Sequence, residues 1–162
     1  MLFRSTGLVA REQWGPIVSD GDDVVLSLDG RPIKRWHIGP VDTNGPVASA
    51  WKLSLVHPGS REPFVVTLDG PIDARDLNYL AIVGPDDSLV GGQPELRDGE
   101  STWRFSPDAA WEAGAYRLLV RGTLEDPSGN RLGGHFETPM SAPQPPAADA
   151  VIAFRVDPNE PL

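Results

Sequence analysis

Seventeen glycines and seventeen prolines are scattered along this chain of 162 residues, and that punctuation limits what it can fold into. Proline removes a hydrogen bond from a helical ladder and clashes with the preceding turn, while glycine weakens a helix interior. Lacking a fixed period, these residues also exclude a collagen-like helix and mark frequent turns. Between them, apolar and polar residues alternate with period two. That is the spacing of a strand with one face in a core and the other in water. The predicted class is therefore all-β, made of short antiparallel strands.

Residues 24–28 and 33–38 flank Asp29-Gly30, a strong hairpin signal. The breaker-rich stretch 39–46 sets a predicted domain boundary. Beyond it, Trp51, Leu53 and Leu55 alternate with Lys52 and Ser54, and Phe64, Val66 and Leu68 repeat the pattern. Asp73 is placed to cap a single helical turn that feeds a strand over 79–83. Residues 84–87 read as a turn, and Asp98-Gly99 as a hairpin between a strand near Leu96 and one over 102–105. Trp103 and Phe105 share a face, as do Tyr116, Leu118 and Val120. Residues 127–130 turn into a strand over 132–136, and Ile152, Phe154 and Val156 align on a terminal strand. Turns this regular predict a sandwich or barrel. The expected organisation is a partial β segment or the remnant of a preceding domain over 1–40, a sandwich over 45–140, a Pro/Ala-rich linker over 141–149 and a terminal strand over 150–157.

The run Trp103-Arg-Phe-Ser-Pro107, then Trp111-Glu-Ala-Gly114-Ala-Tyr116, then Leu124-Glu-Asp-Pro-Ser-Gly-Asn130-Arg-Leu132 and Phe136, resembles bacterial immunoglobulin-like domains. Trp51, Pro58-Gly59, Pro63-Phe64 and Pro71-Ile72-Asp73 extend the resemblance upstream, so that it covers about residues 50–137. It implies an immunoglobulin-like antiparallel β-sandwich with additional N-terminal strands, a module of surface and other exported proteins with no shared catalytic residues. An extracytoplasmic location, periplasm or cell surface, follows from the same resemblance, as does the C-terminal part of a longer bacterial protein. Two pieces have physical reasons. Gly114 ahead of Tyr116 predicts a tyrosine corner, in which the hydroxyl bonds back to upstream backbone. Gly129-Asn130 tolerates positive φ, with Asp126 placed to accept the turn's own amides.

A net charge of −9 repels phosphate backbones and anionic membranes, so nucleic acid is not an expected partner. The absence of cysteine excludes disulfides, thiolate zinc sites and a thiol nucleophile. No apolar run reaches signal-peptide or membrane-span length. No Gly-x-Ser-x-Gly elbow, P-loop or dinucleotide fingerprint occurs. His37, His57 and His135 lack metal-ligand spacing, and the adjacent Glu125-Asp126 would point to opposite faces of a strand. Oxygen ligands for calcium could come from Asp126 and Asn130, or from Asp20 and Asp22. The latter pair lacks the downstream acid of an EF-hand, because Arg31 and Ile33 stand there. Each candidate has a plainer explanation as a self-bonded turn. Of the five tryptophans, Trp51, Trp103 and Trp111 fall at core positions, whereas Trp14 and Trp36 could form an exposed aromatic platform.

The expected function is a non-catalytic structural or protein-interaction module, with no cofactor, whose partner is another protein or a neighbouring domain. A carbohydrate-binding sandwich using Trp14 or Trp36, or an accessory domain of an enzyme, is the alternative.

Overall fold

Strands form where the sequence alternates and end where glycine, proline or aspartate turns it. The computed structural model describes residues 18–40, 42–132 and 148–158. The chain divides into two compact units, Met1–Asp42 and Thr43–Leu162.

In the first unit, β1 (Asp23–Leu28) and β2 (Arg31–His37) pair antiparallel. The two residues between them, Asp29 and Gly30, have φ of +50° and +77°, the left-handed pair that a type I′ turn needs. The register slips after Leu26, which faces Lys34, because Ser27 faces Pro32 and Ile33 is left over as a bulge. Proline has no N–H to give the ladder, which is why the bulge falls beside it.

Among the described residues, the second unit holds two antiparallel sheets. One has the order β3-β4-β7-β6, from β3 (Lys52–Leu53), β4 (Phe64–Thr67), β6 (Gly92–Arg97) and β7 (Thr102–Pro107). The other has the order β5-β8-β9, from β5 (Leu80–Val83), β8 (Gly114–Val120) and β9 (Ala150–Val156). Four strands over three in this sequence of neighbours is the order A-B-E-D over C-F-G of a constant-type immunoglobulin sandwich. The sheets share one core. Phe64, Val66, Trp103 and Phe105 enter it from the first sheet, and Ile82, Tyr116, Leu118, Val120 and Val156 from the second. Phe154 stacks on Phe64 at 4.4 Å and on Tyr116 at 5.3 Å, tying the layers together. Full burial of each such side chain contributes about 1.5–3 kcal/mol.

Three buried tryptophans each find an acceptor for the indole N–H. Trp51 donates to Asp69 Oδ1 (2.7 Å), Trp103 to the Leu77 carbonyl (3.1 Å) and Trp111 to the Glu62 carbonyl (2.9 Å). The large rings are thereby buried without stranding a polar atom.

One expected face is corrected. The alternation of Trp51 and Leu53 does not continue to Leu55, which is 53% exposed while Val56 is 4% exposed. Ser54 is the cause. Its N–H still donates to Val65 O (2.8 Å), but Val65 N–H donates to the Ser54 hydroxyl (2.9 Å) instead of to a backbone carbonyl. The ladder ends there and the inward face shifts by one residue.

Other expectations meet the structure directly. The helical turn is a 3₁₀ helix, Ala74–Tyr79, capped by Asp73, whose Oδ1 accepts from Arg75 N–H at 2.9 Å. The hairpin at Asp98-Gly99 joins β6 to β7, with Asp98, Gly99 and Glu100 at positive φ. The terminal strand β9 pairs along its whole length with β8. The strand expected over 132–136 lies outside the described residues beyond Leu132, as does the linker before Ala148.

Candidate functional site

Several titratable side chains of the sandwich sit in its loops, and their geometry decides whether they form a site. Where β8 ends, the chain turns through Leu124–Asn130. Asp126 Oδ1 accepts from Ser128 N–H (2.8 Å) and Asn130 N–H (2.9 Å), and Oδ2 from Asn130 Nδ2 (3.0 Å). Asp126 N–H in turn donates to Asn130 O, and Gly129 N–H to Asp126 O, both at 3.0 Å. Both residues are buried, and both carboxylate oxygens are engaged by the turn itself. This is the self-bonded turn that the sequence suggested.

The 3₁₀ helix docks on the same turn. Asp73 N–H donates to Glu125 O (2.8 Å), and Glu125 N–H donates to Asp76 Oδ2 (2.8 Å). Asp76 is a buried carboxylate, and burial pushes its pKa up, with the Glu125 amide pulling the other way. Asp73 is held down to about 2 by the Arg75 guanidinium and amide. Two aspartates three residues apart are thus displaced in opposite directions. Sequence spacing placed Asp73 as a cap but gave no sign of the Asp76 clamp, which depends on a residue 49 positions away.

Near Trp111 the loops are joined by aromatic and backbone contacts. Tyr116 O–H donates to Glu112 O and accepts from Glu112 N–H, both at 3.1 Å, the tyrosine corner expected from the sequence. Burial raises the Tyr116 pKa. Gly114 is glycine for a steric reason that the sequence did not reveal: a Cβ there would lie 2.5 Å from Pro85 Cγ. Gly59 N–H donates to Trp111 O (2.8 Å) and Trp111 N–H to Ser60 O (2.9 Å), so the β3–β4 and β7–β8 loops are zipped together.

The same loop brings Ser60, His57 and Glu62 into contact, residue types that in another arrangement make a nucleophilic relay. Here His57 Nδ1 meets Glu62 Oε1 at 2.8 Å, and Ser60 Oγ lies 2.8 Å from His57 O and 3.0 Å from Glu62 Oε1. A relay needs the hydroxyl at the free imidazole nitrogen. That nitrogen, Nε2, is buried with no hydrogen-bond partner among the described residues. Donors from the His57 backbone, the His57 ring and Ser60 lower the Glu62 pKa. The cluster fixes a loop.

In the hairpin unit, Trp36 is 40% exposed, and the Lys34 ammonium sits 5.0 Å from its ring centroid. The cation–π contact occupies one face of the ring. His37 Nδ1 lies 3.0 Å from Asp23 Oδ1 in solvent. Asp22 Oδ2 accepts from Ser19 N–H (2.7 Å), and Asp20 is exposed. Trp14 and His135 lie outside the described residues. Among the described residues, no three His, Asp or Glu side chains are grouped to hold a metal ion. No helix among them is long and apolar enough to cross a membrane. Set against models of known families and against curated proteins, the sequence matches none.

Proposed function

We propose that the chain is a non-catalytic structural and protein-interaction module, an immunoglobulin-like domain of an exported bacterial protein. One observation carries the reading: among the described residues, the buried carboxylates of the sandwich bond to its own backbone. Among the described residues the buried polar ones are Asp76, Asp126 and Asn130; Asp76 and Asp126 hold loop amides, and Asn130 Nδ2 donates to Asp126 in the same turn. A catalytic centre presents titratable groups to a cleft; here they are consumed in closing loops. The strand order and the Tyr116 corner support the immunoglobulin-like assignment, and the charge of −9 supports protein rather than nucleic-acid partners.

Thermal unfolding of the full chain with calcium, with a chelator and across a glycan panel tests the reading, together with iodide quenching of tryptophan emission. A structural module keeps one melting temperature and one quenching curve throughout. A saccharide that raises the melting temperature and shields Trp36 from iodide replaces this reading with carbohydrate binding.

A further inference from the structure

Among the described residues, three of the four sheet edges of the sandwich are protected. β3 is two residues long, and β6 carries Pro94. The outer edge of β5 is taken by its own chain, through Val90 N–H donating to Ile82 O (2.9 Å) and a bridge between Val83 and Leu89. These are the usual devices against strand addition. Among the described residues, β9 has none of them. It runs seven residues without proline or glycine, Ala150-Val-Ile-Ala-Phe-Arg-Val156. Its backbone makes no described hydrogen bond outside the β8 ladder. Its inward residues Ile152 and Phe154 belong to the core layer yet stay half-buried, so the core is incompletely covered along this edge.

We propose that β9 is a homotypic pairing edge, through which two copies of the chain join antiparallel into one continuous sheet, β5-β8-β9 followed by its two-fold image. The inference rests on the interaction-module reading and names its partner, a second copy. Charge selects the register. Asp149, Val151, Ala153, Arg155 and Asp157 alternate onto the outward face. Centring the pair on Ile152 sets Asp149 of each copy opposite Arg155 of the other, with Val151 opposite Ala153. Centring it on Ala153 sets Asp149 opposite Asp157, a like-charge pair. Opposite charges directly across strands stabilise a sheet and like charges destabilise it. Both groups have exposed ion-pair contacts that can rearrange, Arg121 to Asp149 Oδ2 at 3.5 Å and Arg155 to Asp157 at 3.8 Å, while Asp149 Oδ1 stays on Gly122 N–H at 2.9 Å. On the inner face the same register brings Ile152 against its symmetry mate and Ala150 against Phe154, completing the half-covered layer. A two-fold interface is self-complementary in just this sense.

Sedimentation velocity of the full chain over micromolar to submillimolar concentrations is the test, with far-UV circular dichroism confirming the fold of each variant. The wild type is expected to show a reversible monomer–dimer equilibrium, and Arg155→Asp to dimerise about tenfold more weakly, since two favourable pairs become two repulsive ones. Arg155→Asp mixed with Asp149→Arg should form the heterodimer that neither forms alone. Should Asp149→Arg not fold, having lost its bond to Gly122 N–H, Arg155→Asp alone still decides. The chain has no cysteine, so Ile152→Cys should give a disulfide-linked dimer on mild oxidation and Ala153→Cys should not. A wild type that stays monomeric, an Arg155→Asp variant that dimerises unchanged, or cross-linking at 153 instead of 152 each overturns the proposal. Those outcomes leave the module reading standing, because it fails on ligand-induced stabilisation instead.

Discussion

Replacing Asp126 with alanine separates a turn held by its own carboxylate from one that waits for a cation. The side chain accepts three hydrogen bonds, two from the backbone amides of Ser128 and Asn130 and one from the Asn130 amide group. Ser128 is exposed, so water can replace its lost partner. Asn130 is 4% exposed, so water is poorly placed to replace the acceptor its backbone amide loses. A buried donor left unsatisfied costs about 1–3 kcal/mol, and bonds to a charged acceptor lie at the upper end. The two Asn130 bonds together therefore put Asp126→Ala at about 3 kcal/mol. For a domain of this size that corresponds to a fall of roughly 12 °C in melting temperature. Asp126→Asn keeps an oxygen for the two backbone amides but faces its own NH₂ toward that of Asn130, so it should lose about half as much. Calorimetry of the wild type and both variants, in calcium and in chelator, is the assay. The expected order is wild type, Asn, Ala, with no displacement by calcium in any of them. A loss below about 1 kcal/mol for alanine, or a wild-type melting temperature that rises with calcium, refutes the reasoning.

Further outcomes follow from other contacts. Tyr116→Phe removes the hydroxyl that bonds both polar groups of Glu112, and chemical denaturation should report a loss of about 1–2 kcal/mol. Leu55→Ser should leave stability within about 0.5 kcal/mol, whereas Val56→Ala should cost roughly 1–3 kcal/mol; equal effects would contradict the shifted face at Ser54. Gly92→Ala would bring a Cβ to 2.5 Å from Ser106 O and against the Phe105 ring, and should cost about 1–3 kcal/mol or prevent folding. The folded pKa of Asp76 is raised above its ordinary 3.8. The stability it contributes is present below that value and is lost as pH rises through the folded pKa. Asp76→Asn, which still offers an oxygen to Glu125 N–H, should therefore gain on the wild type as pH is raised through that window; a difference independent of pH contradicts the burial argument.

What the sequence made legible was what local chemistry decides. Period two found the faces of Trp103 and Phe105 and of Tyr116, Leu118 and Val120, because each strand buries one side on a shared core. Asp29-Gly30 and Asp98-Gly99 marked hairpins because few residues tolerate their φ. The Asp126 turn and the Tyr116 corner were legible too, since their partners lie within four residues. Contacts between distant segments were not. The break at Ser54 depends on a hydroxyl replacing a carbonyl opposite Val65, and Gly114 on Pro85 from another loop. The Ser60, His57 and Glu62 cluster has no sequence signature, because its members meet only when the loop folds around Trp111.

The absence of cysteine is the feature that most needs a structural replacement. Sandwiches with this strand order in antibodies carry an inter-sheet disulfide, with the corner tyrosine two residues before its second cysteine. Here the residue two after Tyr116 is Leu118, fully buried in the shared cluster. The tie between sheets is aromatic instead: Phe154 stacks on Phe64 from the opposite sheet, and Trp111 reaches both Phe64 at 6.2 Å and Tyr116 at 5.5 Å. Aromatic pairs contribute about 0.5–1.5 kcal/mol each beyond the area they bury, so several can stand in for a covalent bridge worth about 2–4 kcal/mol. Such a tie does not depend on redox conditions, but it depends on β9, because β9 supplies Phe154. The strand that completes the core is also the one whose outer edge makes no hydrogen bond among the described residues. Anything that pairs with β9 therefore steadies the contact between the two sheets, and Phe154→Ala should weaken both folding and association, whereas Arg155→Asp should weaken association alone.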